Sequence, residues 1–398
     1  MDSIPEDELR SRIRRLQKVI LEKRLDAVFI IQKADLFYFA GTVQSSVLCI
    51  PVEGTPLLIV RKSYERACKE SALENIVYLP SYGELPNLLR DHKITHLDHI
   101  GMEFDVIPAS LFFTYQRMFP KARFEDVSMA IRNIRMVKSG YEIDMMRKAG
   151  KISDAILKEV KNELKVGRTE VEIASLISNI AFKLGSQGFT TVRGWNQTLS
   201  PLPFVYVLSG ENGAMASSDD TPLGGKGLNS FIPVGPSNKK IEAHEPIVID
   251  IGPAYNGYSV DVTRTFSVGD MPSSLSDAYE ATLKIQEQLV KQLVTGKRCS
   301  DLYQIAEEMA KRLGYGDNFM GYGEDRVQFV GHGIGIELDE LPVFAKGFDM
   351  PLEEGMTVAI EPKIIFPGIG AVGIENTWLI NKDDPEPLTL INETLYLI

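Results

Sequence analysis

The stretch IVIDIGPAYNGYSVDVTRTF, residues 247–266, decides the fold of the second half of this chain. Two runs rich in β-branched residues flank an Asn-Gly pair at 256–257, which is typical of a two-residue β-hairpin turn. With that turn, Asp250 lies opposite Thr263, and Asp261 lies two residues from Thr263 on the same face. The aspartates are therefore expected close together, where a bound cation or a raised pKa must offset their repulsion. For this hairpin alone, two solvated aspartates near a turn are the alternative.

A second hairpin is predicted at TVAIEPKIIFPGIGAVGIENTWLI, residues 357–380. A loop with an odd number of residues, centred on Gly368, places Glu361 directly opposite Glu375. Each glutamate interrupts an otherwise apolar strand, and a buried glutamate is rare unless it is paired or bound to metal. Two facing glutamates therefore indicate metal ligands more strongly than they indicate solvated side chains on an edge strand.

Between the two hairpins lies FVGHGIGIELDELP, residues 329–342, in which glycines surround His332 and let the backbone approach a ligand closely. Alone this is weak evidence, because a structural histidine is the more common outcome. With the hairpins it completes a set of four carboxylates and one imidazole, which suits two divalent cations that activate water for hydrolysis. The five predicted ligands are Asp250, Asp261, His332, Glu361 and Glu375.

Bulk composition narrows the class of protein. A chain of 398 residues with 44% hydrophobic and 24% charged residues is typical of a soluble protein with two domains. The formal net charge of −11 argues against nucleic acid and anionic membranes as partners, because both require a basic face. A charged N-terminus and the lack of any apolar run of about 18 residues argue against a signal peptide and a membrane span. Three scattered cysteines favour a reducing cytoplasm over a disulfide framework.

The N-terminal part, residues 1–135, is predicted to be an α/β domain with a central sheet. Its first segment, residues 5–24, has the apolar spacing of an amphipathic helix. Four short β-rich runs follow, at 26–31, 35–42, 45–52 and 55–62. Beyond them, helical stretches near 62–73 and 84–92 alternate with strands near 76–79 and 96–103.

The remainder, residues 136–398, is predicted to be an α+β domain with an antiparallel sheet flanked by helices. Its first two helices each begin with a capping box, at Ser139 with Glu142 and at Thr169 with Glu172. Strands and glycine-rich loops follow, interrupted by one helical segment at about 275–313. The long glycine- and serine-rich loop 209–237 is expected to be functional or mobile.

These segments resemble the pita-bread metalloenzymes: prolidase, aminopeptidase P, methionine aminopeptidase and creatinase. The aspartate hairpin, the GHGIG motif and the IEP and IEN strands resemble the metal-binding segments of that family. DLFYFAGT and the N-terminal α/β region resemble the extra domain of prolidase and creatinase, and MVKSGYEIDMMRKA resembles the helix that opens their catalytic domain. The resemblance therefore covers essentially the whole chain and implies an α/β domain followed by a pita-bread catalytic domain.

The resemblance also implies roles for the ligands. Asp261 and Glu375 would bridge two metal ions, Asp250 would complete the site of one ion, and His332 and Glu361 that of the other. Glu361 would position or deprotonate the attacking water, so Glu361 and His332 are the expected catalytic residues. The oxygen-rich set favours manganese, cobalt or iron over zinc. A homodimer is a further expectation from the family.

The chain departs from the peptidases of this family at three positions where they hold substrate. The first family histidine falls at Ser217 or at Pro233, depending on the side from which the segments are aligned. The second falls at Asp339, and the arginine that prolidases carry before the last metal glutamate falls at Gly373. The whole chain has five histidines, His92, His96, His99, His244 and His332. We therefore predict Asp339, Ser217 and Arg193 as substrate-binding residues, with Trp195 either in a specificity pocket or in the core.

Three functions follow from this pattern. The first is a metal-dependent hydrolase acting on Xaa-Pro dipeptides or short peptides, in which metal-activated water attacks an amide. The second is a creatinase-like C–N hydrolase or a lyase on a small substrate, which the missing histidines and the loop 217–233 favour. The third, a non-catalytic binding module on the same fold, predicts eroded metal ligands and ranks last because all five are present.

Overall fold

The computed structural model describes residues 3–194, 204–217 and 219–398. It separates into two units by the density of internal contacts. Unit 1 comprises Met1–Arg135 and Thr191–Thr198, and unit 2 comprises Met136–Thr190 and Leu199–Ile398. The described residues 191–194 thus group with unit 1, whereas the predicted boundary at 135/136 places them in the second domain.

The described strands of unit 1 form a six-stranded sheet. Its strands are β1 (Ala27–Ile30), β2 (Ser46–Pro51), β3 (Leu57–Val60), β4 (Ile76–Tyr78), β5 (His99–Met102) and β6 (Arg123–Asp126). Its helices are α1 (Glu6–Glu22), α2 (Lys33–Ala40), α3 (Tyr64–Glu70), α4 (Leu85–Asp91), α5 (Ala109–Met118) and α6 (Ser128–Met136). The strand order is β4-β3-β2-β1-β5-β6. Phe29 of the sheet packs with Leu89 of α4 and Tyr115 of α5, so the predicted α/β layering is confirmed.

One predicted strand in unit 1 is a helix. Residues 35–42 were expected to be β-rich, yet α2 runs from Lys33 to Ala40. The Gln32 side chain caps it by accepting a hydrogen bond from the Asp35 amide at 2.8 Å. Gly41, with φ of 71°, ends it in the left-handed conformation that glycine adopts without a steric penalty. The strand prediction was wrong because a short apolar run does not distinguish a buried helix from a buried strand.

The described part of unit 2 combines four α-helices with the remaining strands. The helices are α7 (Gly140–Val160), α8 (Glu170–Lys183), α9 (Ser273–Val290) and α10 (Cys299–Arg312). The strands are β7 (Val205–Ser209), β8 (Ile247–Ile251), β9 (Ala254–Tyr255), β10 (Tyr258–Ser259), β11 (Val262–Ser267), β12 (Phe329–Gly333), β13 (Glu340–Ala345), β14 (Thr357–Ile360), β15 (Lys363–Phe366), β16 (Gly370–Gly373), β17 (Asn376–Leu379), β18 (Glu386–Pro387) and β19 (Tyr396–Leu397). Both capping boxes are confirmed. The single helical segment predicted at 275–313 is two helices, α9 and α10.

Two sheets of unit 2 bring the predicted hairpins together. One has the order β19-β11-β8-β7 and the other the order β13-β12-β14-β17-β18, while β15 and β16 form a separate ribbon. An isolated antiparallel bridge joins Thr263, on β11, to Glu375, between β16 and β17. The Glu375 amide donates to the Thr263 carbonyl at 3.2 Å. This bridge carries the aspartates of one hairpin to the glutamates of the other.

The long loop 209–237 is tied to the start of α8. The buried carboxylate of Glu170 accepts hydrogen bonds from the backbone amide and hydroxyl of Ser209, from the Asn212 side chain and from Ser237. A buried carboxylate is stable when several donors satisfy it. Glu170 thus fixes both ends of this loop to the helix.

Two predictions about the environment of the chain concern membranes and cysteines. In the described ranges, no helix is long and apolar enough to cross a bilayer. Cys49 and Cys299 are buried, Cys68 is exposed, and all three are free thiols. The cytoplasmic location stays a prediction.

Candidate metal centre

The aspartate hairpin has the predicted register. Asp250 lies opposite Thr263 in the pairing of β8 with β11. The turn between β9 and β10 consists of Asn256 and Gly257, with φ of 47° and 86°. Positive φ at both positions is the geometry of the type I′ turn, whose twist matches a right-twisted hairpin. Asp250 and Asp261 accordingly emerge on one face, diagonally adjacent.

The glutamate hairpin also has the predicted register. Ile360 pairs with Asn376 on one side of the glutamates, and Lys363 pairs with Gly373 on the other. Glu361 and Glu375 therefore face each other, and both are buried.

His332 lies in strand β12, between two glycines. It pairs with Ala359 of β14 and with Val343 of β13. A Cβ at Gly331 would lie 2.5 Å from the Ala359 carbonyl oxygen, and one at Gly333 would lie 2.1 Å from a neighbouring carbonyl oxygen. The glycines are thus required by close packing of the backbones of adjacent strands, and the approach of this backbone to a ligand stays a prediction.

The three elements converge on one buried cluster of ligand atoms. Asp261, His332 and Glu375 each offer an atom within 4.8 Å of the atoms offered by the other two. His332 Nε2 lies 4.0 Å from Asp261 Oδ2, 3.8 Å from Glu375 Oε1 and 3.7 Å from Glu361 Oε1. Within the described part of the chain, Glu375 Oε1 is buried and accepts no hydrogen bond. A buried carboxylate oxygen without a donor fits a metal ligand, because such an oxygen is otherwise costly to desolvate.

Asp339 lies beside the histidine ring. Its Oδ1 lies 3.3 Å from His332 Nδ1, and the Gly333 carbonyl oxygen lies 3.1 Å from the same nitrogen. Acceptors at Nδ1 favour the tautomer that carries its proton there and leave Nε2 free to bind a cation. Asp339, whose side chain is 60% exposed, thus lies within reach of the histidine ring, and its contact with substrate stays a prediction.

Lys363 belongs to this centre, although the sequence analysis did not single it out. Its side chain is 2% exposed, and its Nζ lies 2.5 Å from Glu361 Oε2, 2.9 Å from Glu375 Oε2 and 3.4 Å from Asp250 Oδ2. The signal was present in the sequence, because residues 361 and 363 are two apart on one hairpin arm and share a face. A buried lysine among carboxylates changes the charge balance of the whole centre.

The pKa values in the centre diverge. Burial raises the pKa of Glu361 to about 7, against the opposing effect of the Lys363 ammonium. Burial and the neighbouring carboxylates, Glu375 first, raise the pKa of Asp261 well above its usual range. Burial opposes ionisation of Glu375 as well, yet Lys363 and His332 together outweigh it and lower the pKa of Glu375 to about 2. Such divergent values in one buried cluster are typical of a functional site.

The metal-free protein is expected to lose stability as pH rises from about 4.5 to about 7, the ordinary and folded-state pKa values of Glu361. The folded chain binds this proton more tightly than the unfolded chain, so ionisation in that range favours unfolding. Glu375 contributes constant stability there, because its lowered pKa lies below the range. Thermal unfolding of protein freed of metal by a chelator checks this prediction. The difference in melting temperature, Glu361→Gln minus wild type, should increase with pH. A difference that shrinks with pH would contradict it.

Two predicted substrate-binding residues, Arg193 and Ser217, make their recorded contacts with residues outside the ligand cluster. The Arg193 guanidinium, within unit 1, pairs with Asp35 at 3.0 Å and with both carboxylate oxygens of Asp105. The Ser217 hydroxyl accepts a hydrogen bond from the Asp219 amide at 3.2 Å. Trp195 lies outside the described residues. Substrate binding by Arg193 and Ser217 stays a prediction.

The fold and the site together define a class of protein, the metal-dependent hydrolases with an α/β domain followed by an α+β catalytic domain. Comparison with known families narrows this class. The chain belongs to metallopeptidase family M24, whose model matches residues 144–382. The creatinase/prolidase N-terminal domain matches residues 12–137. The pita-bread resemblance and the predicted fold class are thereby confirmed.

Relatives match along the whole chain. The Xaa-Pro dipeptidase of Pyrococcus furiosus is 29% identical over 384 residues, which cover 96% of this chain and 98% of the relative. The prolidase structure from Pyrococcus horikoshii is 26% identical and superposes with a TM-score of 0.81, covering 97% of this chain and 99% of that one. The X-Pro aminopeptidase structure from Thermotoga maritima is 27% identical, with the same TM-score and the same coverage of each chain.

Proposed function

We propose that this chain is a metal-dependent peptidase of the Xaa-Pro dipeptidase type, which hydrolyses the amide bond before proline in short peptides. One observation carries the proposal: the ligand cluster of Asp261, His332 and Glu375 is assembled and buried within the segment that matches the metallopeptidase family. The names of the full-length relatives supply the substrate class.

The chemistry follows from the ligand set. A divalent cation bound at such a site lowers the pKa of water and polarises the scissile carbonyl. Asp261, His332 and Glu375 would hold the cation, and their oxygen-rich character would favour manganese, cobalt or iron. Glu361 would act as the general base for that water, since its Oε1 faces the ligand cluster, 3.7 Å from His332 Nε2.

The rival functions have less support. Peptidase relatives of nearly equal length favour amide hydrolysis over the creatinase-like or lyase alternative. Among the described residues, the buried Glu375 Oε1 has no hydrogen-bond donor. A non-catalytic module on this fold would not require such an oxygen. Homodimer formation stays a prediction from the family.

Purified protein reconstituted with manganese, cobalt or iron is expected to hydrolyse Ala-Pro, and removal of the metal by a chelator should abolish turnover reversibly. The physical reason is that water is a poor nucleophile at neutral pH without a bound cation. Release of proline is the measurement, with Ala-Ala as the matched substrate and Ala-Pro-Ala as the longer one. The proposal would be contradicted if the protein binds these metals but cleaves no Xaa-Pro peptide with any of them.

A further inference from the structure

The Lys363 ammonium stands where cation ligands converge. It contacts one oxygen each of Glu361, Glu375 and Asp250, three of the five residues predicted to bind metal. At 2.5–3.4 Å these are the distances of charge-assisted hydrogen bonds and ion pairs. A divalent cation on the same oxygens would compete with the lysine for them.

The carboxylate oxygens divide into two groups. Glu361 and Glu375 each turn Oε2 to Lys363 and Oε1 towards His332. Each of these two carboxylates therefore places one oxygen at each of two neighbouring positions where a positive charge can be bound. One position holds the ammonium of Lys363. The other is bounded by Asp261, His332 and Glu375 Oε1, which among the described residues has no hydrogen-bond donor.

Gly373 makes room for the lysine. It is paired directly with Lys363 across the β15–β16 ribbon, and a Cβ at this position would lie 2.5 Å from Lys363 Cγ. That carbon is near the backbone, so a side chain at position 373 would displace the lysine stem. The glycine, which stands where the resemblance implies an arginine, thus accompanies the lysine as part of one local arrangement.

We propose that the ammonium of Lys363 replaces one of the two cations expected from the ligand set, so that the centre binds a single divalent cation at Asp261, His332 and Glu375. A second cation would lie within a few ångströms of a fixed positive charge in a buried site, where repulsion is weakly screened. Asp250 then acts as a partner of Lys363. This inference rests on the proposed function only in requiring that the chain binds metal. The number of bound cations does not depend on which peptide the chain cleaves.

The test counts the cations. Wild-type protein, stripped by chelation and titrated with Mn²⁺, is expected to bind one equivalent per chain by calorimetry and by elemental analysis after dialysis. Its electron paramagnetic resonance spectrum should show the resolved hyperfine pattern of isolated Mn²⁺ ions, without the broadening of an exchange-coupled pair. Two equivalents per wild-type chain, or none, overturn the proposal.

Variants of Lys363 test whether this lysine limits the chain to one bound Mn²⁺ ion. Lys363→Gly removes both the charge and the bulk and is expected to bind two equivalents with a coupled spectrum. Lys363→Arg keeps the charge and should still bind one equivalent. A folded Lys363→Gly that binds only one equivalent would overturn the role of the lysine, and the wild-type count decides the stoichiometry if this variant does not fold. Xaa-Pro turnover with two bound cations would overturn this inference and leave the proposed function intact.

Discussion

Glu375→Gln is expected to lower kcat/KM for an Xaa-Pro dipeptide by at least about a hundredfold and to weaken metal binding in parallel. One carboxylate oxygen of Glu375 accepts hydrogen bonds from Lys363 at 2.9 Å and from the Thr263 hydroxyl at 2.8 Å. The other faces the cluster without a donor among the described residues. Glutamine keeps the volume but has one acceptor oxygen, so it cannot serve both sides of the centre.

The matched control is Asp154→Asn, a second buried carboxylate in unit 2. Asp154 Oδ1 accepts hydrogen bonds from the backbone amides of Leu390 and Ile391 at 3.1 and 2.9 Å, and asparagine retains such an acceptor. The control should therefore keep kcat/KM and the Mn²⁺ affinity close to those of wild type. Steady-state kinetics at saturating Mn²⁺ and calorimetric titration provide the measurements. Activity of Glu375→Gln within threefold of the control would refute the assignment of Glu375 as a metal ligand.

The registers of both hairpins could be predicted from sequence because side chains alternate with a period of two along a strand. Once the turn length is set, the partners follow, as Asp250 with Thr263 and Glu361 opposite Glu375 demonstrate. The bridge that joins the two hairpins could not be predicted in this way. It depends on how two sheets approach each other, and no local turn or pattern of alternation encodes that distance.

Lys363 shows a different limit. Its position on the shared face followed from the same period, yet lysine is almost never fully buried without a partner. Its burial is matched by three carboxylates, of which Asp250 lies on β8 and Glu361 and Glu375 lie on the two arms of the second hairpin. Each carboxylate of the cluster could be predicted separately from its own stretch of sequence. The buried ammonium of Lys363 among them could be recognised only once the positions of all the carboxylates were known.

Arg264 connects the metal centre to the C-terminal segment. Its side chain is fully buried on the arm of β11 that also carries Thr263. All three of its nitrogens donate hydrogen bonds of 2.7–2.9 Å, to the carbonyl oxygens of Thr263, Glu375, Ile391 and Asn392 and to Asn376 Oδ1. Through the Glu375 carbonyl, Arg264 fixes the backbone of a proposed metal ligand.

Arg264→Met is expected to lower the free energy of unfolding by about 3–5 kcal/mol, because removal of the guanidinium leaves several buried acceptors unsatisfied. Methionine fills part of the volume, so the loss reports the hydrogen bonds more than a cavity. Arg312→Met, on the exposed surface of α10, is the matched control and should change stability by less than about 0.5 kcal/mol. Urea unfolding of metal-free protein measures both variants. Equal unfolding midpoints for the two would show that the Arg264 network does not stabilise unit 2, and the proposed link between the C-terminal segment and Glu375 would fail with it.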